Sequence, residues 1–125
     1  MLAAPDSVIG NSLRTFLSIV QEIDFIGSVN KTVNVSQYSL ENKPDILVLD
    51  ADLVEYDGKL NLMNYLQELH SLISPDTCII VLAGGFEQQQ AVLKSNAAQV
   101  VLKGQVGERL REKFRSYSVS QHSES

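Results

Sequence analysis

The stretch "PDILVLDADL", residues 44 to 53, constrains the fold most, because four large apolar residues, Ile46 to Leu49, run straight into carboxylates at Asp50 and Asp52. A strand with one wet face alternates apolar and polar residues. A run with no polar face must be hidden on both sides, as in the central strands of a parallel sheet covered by helices. Ligands of such sheets sit in the crevice beyond the carboxyl ends of the strands. Asp50 is therefore expected at that rim.

Two more runs read as buried strands, "CIIVL" at 78 to 82 and "QVVL" at 99 to 102. Weaker ones are "LAA" near the start and "FIG" at 25 to 27. Between them the apolar spacing becomes helical. Ile9, Leu13, Phe16, Leu17 and Val20 form one stripe, with Asp6 or Ser7 as N-cap, and Leu60, Met63, Leu66, Leu69 and Ile73 form another, stopped by Pro75. Shorter helices are expected over 31–41, 86–95 and 106–115, the last carried by Val106, Leu110 and Phe114. Strand and helix alternating in this way imply an α/β fold, a doubly wound five-stranded parallel sheet with about five helices. Residues 1–115 are expected as one domain, and the Ser-rich stretch 116–125 as a flexible tail or linker.

The 125 residues suffice for a single core. A net charge of -5 argues against a broad nucleic-acid or anionic-membrane surface, since phosphate attraction needs excess Lys and Arg. No apolar stretch approaches the roughly 20 residues that span a bilayer, and "MLAAPD" lacks the basic start of a signal peptide, so a cytoplasmic protein is expected. Cys78 is the single cysteine, which leaves no disulfide framework and no Cys-based metal site. "NKT" and "NVS" match the glycosylation sequon at Asn30 and Asn34, a short pattern that chance supplies. "AGG" at 83 to 85 is too short for a phosphate-cradling loop, and His70 and His122 lack partners for zinc or a nucleophilic triad.

In the flavodoxin-like strand order 2-1-3-4-5 the first and third strands are neighbours, which brings Asp6 and Asp50 to one rim, with Lys103 after the last strand. Two close carboxylates repel unless a cation lies between them, and oxygen ligands in such a cleft suit Mg²⁺. An ammonium beside them can pair with Asp50 or hold a phosphoryl oxygen. Each residue alone has an ordinary explanation: Asp6 as a helix cap, Asp52 as a turn residue, Lys103 as the chain's return to water. Their coincidence at three strand ends favours a site.

From Leu2 to Phe114 the sequence resembles the receiver domain of two-component response regulators, through "PD" before the first helix, "KPDILVLDADLVEYDG", "IIVLAGG" and "NAAQVVLKG". The family's usual form of the second is "RPDVVLLDLxMPxMDG", and "FIGSVN" is similar to the branch that precedes a helix-turn-helix DNA-binding domain. The resemblance implies a CheY-like fold with Asp50 as phospho-acceptor, Asp6 as a metal-binding carboxylate, Asp52 supplying a backbone carbonyl to Mg²⁺, and Lys103 pairing the phosphate. Gly58 matches the glycine eight residues after the acceptor. Implied too are a histidine kinase or other phosphodonor, and a homodimer or output domain contacted through the 94–111 face.

Departures accompany the match. Pro5 replaces one acidic residue, Ala83 the phosphoryl-bonding Ser or Thr, Val100 an inward-turning aromatic, Val54 a proline and Gly104 the proline after Lys103. The chain is thus expected to be no enzyme in its own right but a receiver that takes a phosphoryl group on Asp50 with an altered switch, regulating transcription through a partner or a missing output domain. The alternative is a pseudo-receiver, a binding module independent of phosphorylation. A small flavodoxin-like enzyme ranks last, for want of a glycine loop.

Overall fold

The computed structural model describes residues 1–20, 23–56 and 61–123, with the side chains of residues 8, 9, 56 and 118–123 left aside. Five strands form one sheet: β1 (Leu2–Ala3), β2 (Ser28–Val29), β3 (Ile46–Asp50), β4 (Cys78–Ala83) and β5 (Gln99–Leu102). All pairings are parallel, in the order β2-β1-β3-β4-β5. This is the predicted winding. The described residues include six α-helices: α1 (Val8–Ile19), α2 (Val35–Asn42), α3 (Ala51–Tyr56), α4 (Leu62–Leu72), α5 (Phe86–Ser95) and α6 (Val106–Ser123).

The continuous apolar runs divide between the two faces as the pleat requires. Leu47, Leu49, Ile79 and Val81 join Val35, Leu53, Val54, Leu62, Leu66, Leu69 and Val92 on the face covered by α2 to α5. Val48, Ile80, Leu82 and Val101 join Leu13, Leu17, Leu110 and Phe114 on the face covered by α1 and α6. Ile46, expected to be buried, is half-buried, since it opens β3 at the sheet's lower edge. Cys78 is likewise half-buried, and burial pushes its thiol pKa up, against a smaller opposing effect of Lys113.

The differences from expectation sit where the signal is weakest. The second strand lies at Ser28–Val29, just beyond "FIG", on the sheet edge and half-buried. A short helix, α3, follows Asp50 directly, which raises the helix count above the expected five. The backbone of α6 stays helical to Ser123, past the Ser116 boundary expected for a flexible tail. Leu60 and Gly58 lie outside the described residues.

Gly10 is fixed by a close backbone approach. A Cβ there would stand 2.0 Å from the Pro5 carbonyl oxygen. Gly10→Ala must push the Pro5–Asp6 segment off α1, and a loss of about 1–3 kcal/mol is expected in chemical unfolding, as for other overpacking changes. An unchanged midpoint would show that the segment gives way freely. Gly27 has φ of 137°, and a Cβ there would run into the Tyr38 hydroxyl, which donates to the Ile26 carbonyl at 2.8 Å.

Candidate functional site

Asp50 is the last residue of β3 and pairs in register with Leu82 of β4. It is 2% exposed. A buried carboxylate needs partners, because desolvating an unpaired charge is costly. Its Oδ1 accepts the Asp52 backbone N–H at 2.9 Å, which closes the turn into α3, and lies 2.7 Å from Lys103 Nζ. Lys103 follows β5, whose Leu102 pairs with Ala83 at the end of β4. The sheet therefore delivers the ammonium to the same rim as the carboxylate.

The same ammonium is shared. Asp52 Oδ2 lies 2.5 Å from Lys103 Nζ, although the Asp52 side chain is 52% exposed and had been expected to act only through its backbone carbonyl or as a turn residue. Asp52 Oδ1 accepts from Gln88 Nε2 at 3.0 Å, and Gln88 Oε1 accepts the Gly84 backbone N–H at 2.7 Å. Five groups from β3, α3, the β4–α5 turn, α5 and the end of β5 thus form one chain of contacts.

Burial lowers the Lys103 pKa, but its hydrogen bonds to Asp50 and Asp52 and their charges outweigh this and leave it raised. The hydrogen bond from Lys103, then that from Gln88, holds Asp52 below the usual aspartate value. A raised lysine pKa contributes stability below the ordinary lysine value, lost as pH rises through the folded value. A depressed aspartate pKa contributes stability above the ordinary aspartate value, lost as pH falls through the folded value. The Asp52–Lys103 contact should therefore survive from below the usual carboxylate range to above the usual lysine range. A carboxyl NMR titration is expected to find Asp52 depressed in the native protein and back toward its ordinary value in Lys103→Met. An ordinary value in the native protein would mean that the contact is absent in solution.

Asp6 goes elsewhere. β1 leaves the sheet at the same rim, since Ala3 pairs with Leu49, but the Asp6 side chain is 70% exposed. Asp6 Oδ2 accepts from Asn30 Nδ2 at 2.6 Å, and Oδ1 lies 3.8 Å from Arg14 Nη1. Arg14 is itself anchored by donating to Ser28 Oγ at 3.0 Å and the Ala4 carbonyl at 2.9 Å. The N-cap of α1 is Ser7, whose Oγ accepts the Gly10 N–H at 3.0 Å.

This arrangement tests the Mg²⁺ set expected from Asp6, Asp50 and Asp52. A divalent cation needs carboxylate oxygens facing a common point. In that set Asp52 enters by its backbone carbonyl and the carboxylates are Asp6 and Asp50; here Asp6 is engaged by Asn30 and Arg14, and the Lys103 ammonium lies 2.7 Å from Asp50 Oδ1. As arranged, the residues do not fit the ion, and no step below is routed through it.

The switch positions are occupied as their sequence dictates. Ala83 is buried and offers no hydroxyl, and Val100 is half-buried against the α2–α5 face. On the 94–111 face Arg109 is exposed and 3.5 Å from Glu112, whereas Arg111 is turned onto the Phe16 ring at 5.8 Å and so belongs partly to the packing of α6 on α1. The larger exposed apolar residues nearby are Phe86, 73% exposed, and Leu93, 52% exposed, both on α5. Among the described residues no helix is long and apolar enough to cross a membrane.

Sequence reasoning missed Gln88, Arg14, Asn30 and the Asp52 side chain. The partners Asp52–Gln88 and Asp52–Lys103 are 36 and 51 residues apart, so no local pattern announces them. Only a register-level sheet alignment could have suggested that Lys103 reaches both carboxylates.

No family model matches the chain. It is 27% identical over 92 residues to the uncharacterized transcriptional regulatory protein YhcZ of Bacillus subtilis, a match covering 74% of this chain and 41% of that protein. The chain thus spans well under half the length of this relative. Among solved structures it is similar to the signal receiver domain of the response regulator NarL from Mycobacterium tuberculosis, with a TM-score of 0.69 at 12% identity, covering 91% of this chain and 93% of that one. The response regulator domain of Thermotoga maritima CheB gives 0.68 at 20% identity, over 93% and 92% of the two chains. The REC domain of RcsB from Salmonella enterica serovar Typhimurium gives 0.65 at 21%, over 89% and 80%. With its five-stranded parallel sheet in the order 2-1-3-4-5, the chain has the fold of response-regulator receiver domains.

Proposed function

We propose that this chain is a receiver module of two-component signalling that accepts a phosphoryl group on Asp50. The observation that carries the reading is the Lys103 ammonium 2.7 Å from a carboxylate buried at the carboxyl end of the central strand. A carboxylate oxygen of Asp50 attacks the phosphorus of a phosphohistidine or small acyl phosphate. One O–P bond forms, the donor's bond to phosphorus breaks, and its electron pair leaves with the donor group. The acyl phosphate gains negative charge that Lys103 is placed to balance as a point charge. The domain does no chemistry on a released substrate, so it is a signalling module whose kinase supplies the phosphoryl group.

Output on this reading passes to a second copy or an output domain through the 94–111 face, joined by the exposed Phe86 and Leu93 beside it. The name of the Bacillus relative supports regulation of transcription as the output. A second reading, the pseudo-receiver, is favoured by the engagement of Asp6 with Asn30 and Arg14 and by the missing hydroxyl at Ala83.

Intact mass spectrometry after incubation with a small acyl phosphate, with and without added Mg²⁺, separates them. One phosphoryl adduct that disappears in Asp50→Ala is expected. No adduct under either condition would overturn the acceptor reading in favour of the binding module.

A further inference from the structure

We infer that Asp52 and Gln88 form a brace that couples the cation beside Asp50 to the opening turn of α5, through Lys103, Asp52, Gln88 and the Gly84 N–H in that order. The trigger rests on the phosphoryl-acceptor reading; the brace itself does not. Each link uses a different atom. Lys103 Nζ meets Asp52 Oδ2, Asp52 Oδ1 accepts from Gln88 Nε2, and Gln88 Oε1 accepts from Gly84. A glutamine suits this place because it offers one donor and one acceptor on a single planar group. The N-cap of α5, Gly85, has no side-chain cap, so Gln88 at the third helical position reaches back to the backbone just before the cap, in the manner of a capping box. The start of α5 thus depends on a side chain that Asp52 also holds.

The geometry gives the coupling a direction. Lys103 is shared between Asp50 at 2.7 Å and Asp52 at 2.5 Å. A phosphoryl group on Asp50 adds negative charge beside the same ammonium, which draws it away from Asp52 and repels the Asp52 carboxylate. Gln88 then loses its acceptor and the Gly84 N–H loses a firmly placed partner. Ala83 offers no hydroxyl to carry the signal, and this side-chain route runs past it to α5, which bears the exposed Phe86 and Leu93.

The test is amide exchange at Gly84 and over residues 86–89 in the unmodified protein, in Gln88→Ala, which removes the acceptor of the Gly84 N–H, and in Asp52→Ala, which removes the acceptor of Gln88 Nε2. Loss of one hydrogen bond should speed Gly84 exchange about fivefold. The brace requires this acceleration in Asp52→Ala as well as in Gln88→Ala, although Asp52 reaches Gly84 through Gln88. Gly84 exchange unchanged in Asp52→Ala would overturn it, whatever Gln88→Ala does. These arms decide the brace whether or not an adduct forms. Where the adduct forms, faster Gly84 exchange in the native sequence, with no added effect in Asp52→Ala, supports the coupling, and unchanged exchange overturns it as the readout.

Discussion

Phe114→Ala is expected to cost about 3–5 kcal/mol, the range for removing a buried aromatic ring from a core. Phe114 is 2% exposed and, with Leu110, seats α6 on the face formed by Val48, Ile80, Leu82 and Val101. Among the described side chains of α6, Leu110 and the partly buried Val106 share that core with it, and Arg111 over Phe16 adds a modest contact. The consequence reaches the site, because α6 follows closely after Lys103 and a loosened helix loosens the lysine's anchor. Urea unfolding gives the number directly. A loss below about 1 kcal/mol would show that α6 is held by something other than Phe114.

Lys103→Met is expected to cost about 2 kcal/mol or more, by removing the cation from the buried Asp50 carboxylate and leaving it, among the described residues, the Asp52 N–H. The figure lies below the usual range for breaking a buried pair because the lysine side chain is itself 19% exposed and one hydrogen bond remains. Asp50→Asn should cost less, since Lys103 keeps Asp52 as a partner. The double variant should be more stable than Lys103→Met alone. A double-mutant cycle by urea unfolding measures this coupling. Additive effects would mean that the two groups do not feel each other in solution.

The parts of the fold legible in the sequence were those dictated by burial on both faces. Ile46 to Leu49 and Cys78 to Leu82 need a covered sheet, and β3 and β4 lie there, whereas β5 formed where its run predicted but, as an edge strand, buries Val101 and leaves Gln99 exposed and Val100 and Leu102 half-buried. β2 was placed slightly early because a two-residue edge strand of half-buried Ser28 and Val29 has no apolar run to mark it. The continuation of α6 was missed because the stretch after Phe114 is polar, and polar composition alone does not distinguish an exposed helix from a linker.

At the site, position along the chain predicted which residues reach the rim but not where their side chains turn. Lys103 meets Asp50 because strand register leaves it little choice. Asp6 stands at the same rim on an exposed segment, and a nearby amide and guanidinium claim it. Asp52 read as a turn residue, but Lys103 is long enough to serve two carboxylates and Gln88 lies opposite. Such choices are settled by tertiary competition between charged groups, which a linear pattern does not encode.

The measurement that bears most directly on the acceptor assignment is chemical mapping of the adduct. Borohydride reduces an aspartyl phosphate to homoserine, so the phosphodonor-treated protein can be reduced, digested and sequenced by tandem mass spectrometry. Homoserine at position 50 alone is the predicted result. Homoserine at position 6 or 52, or none at all from a protein that carries the added mass, would contradict it.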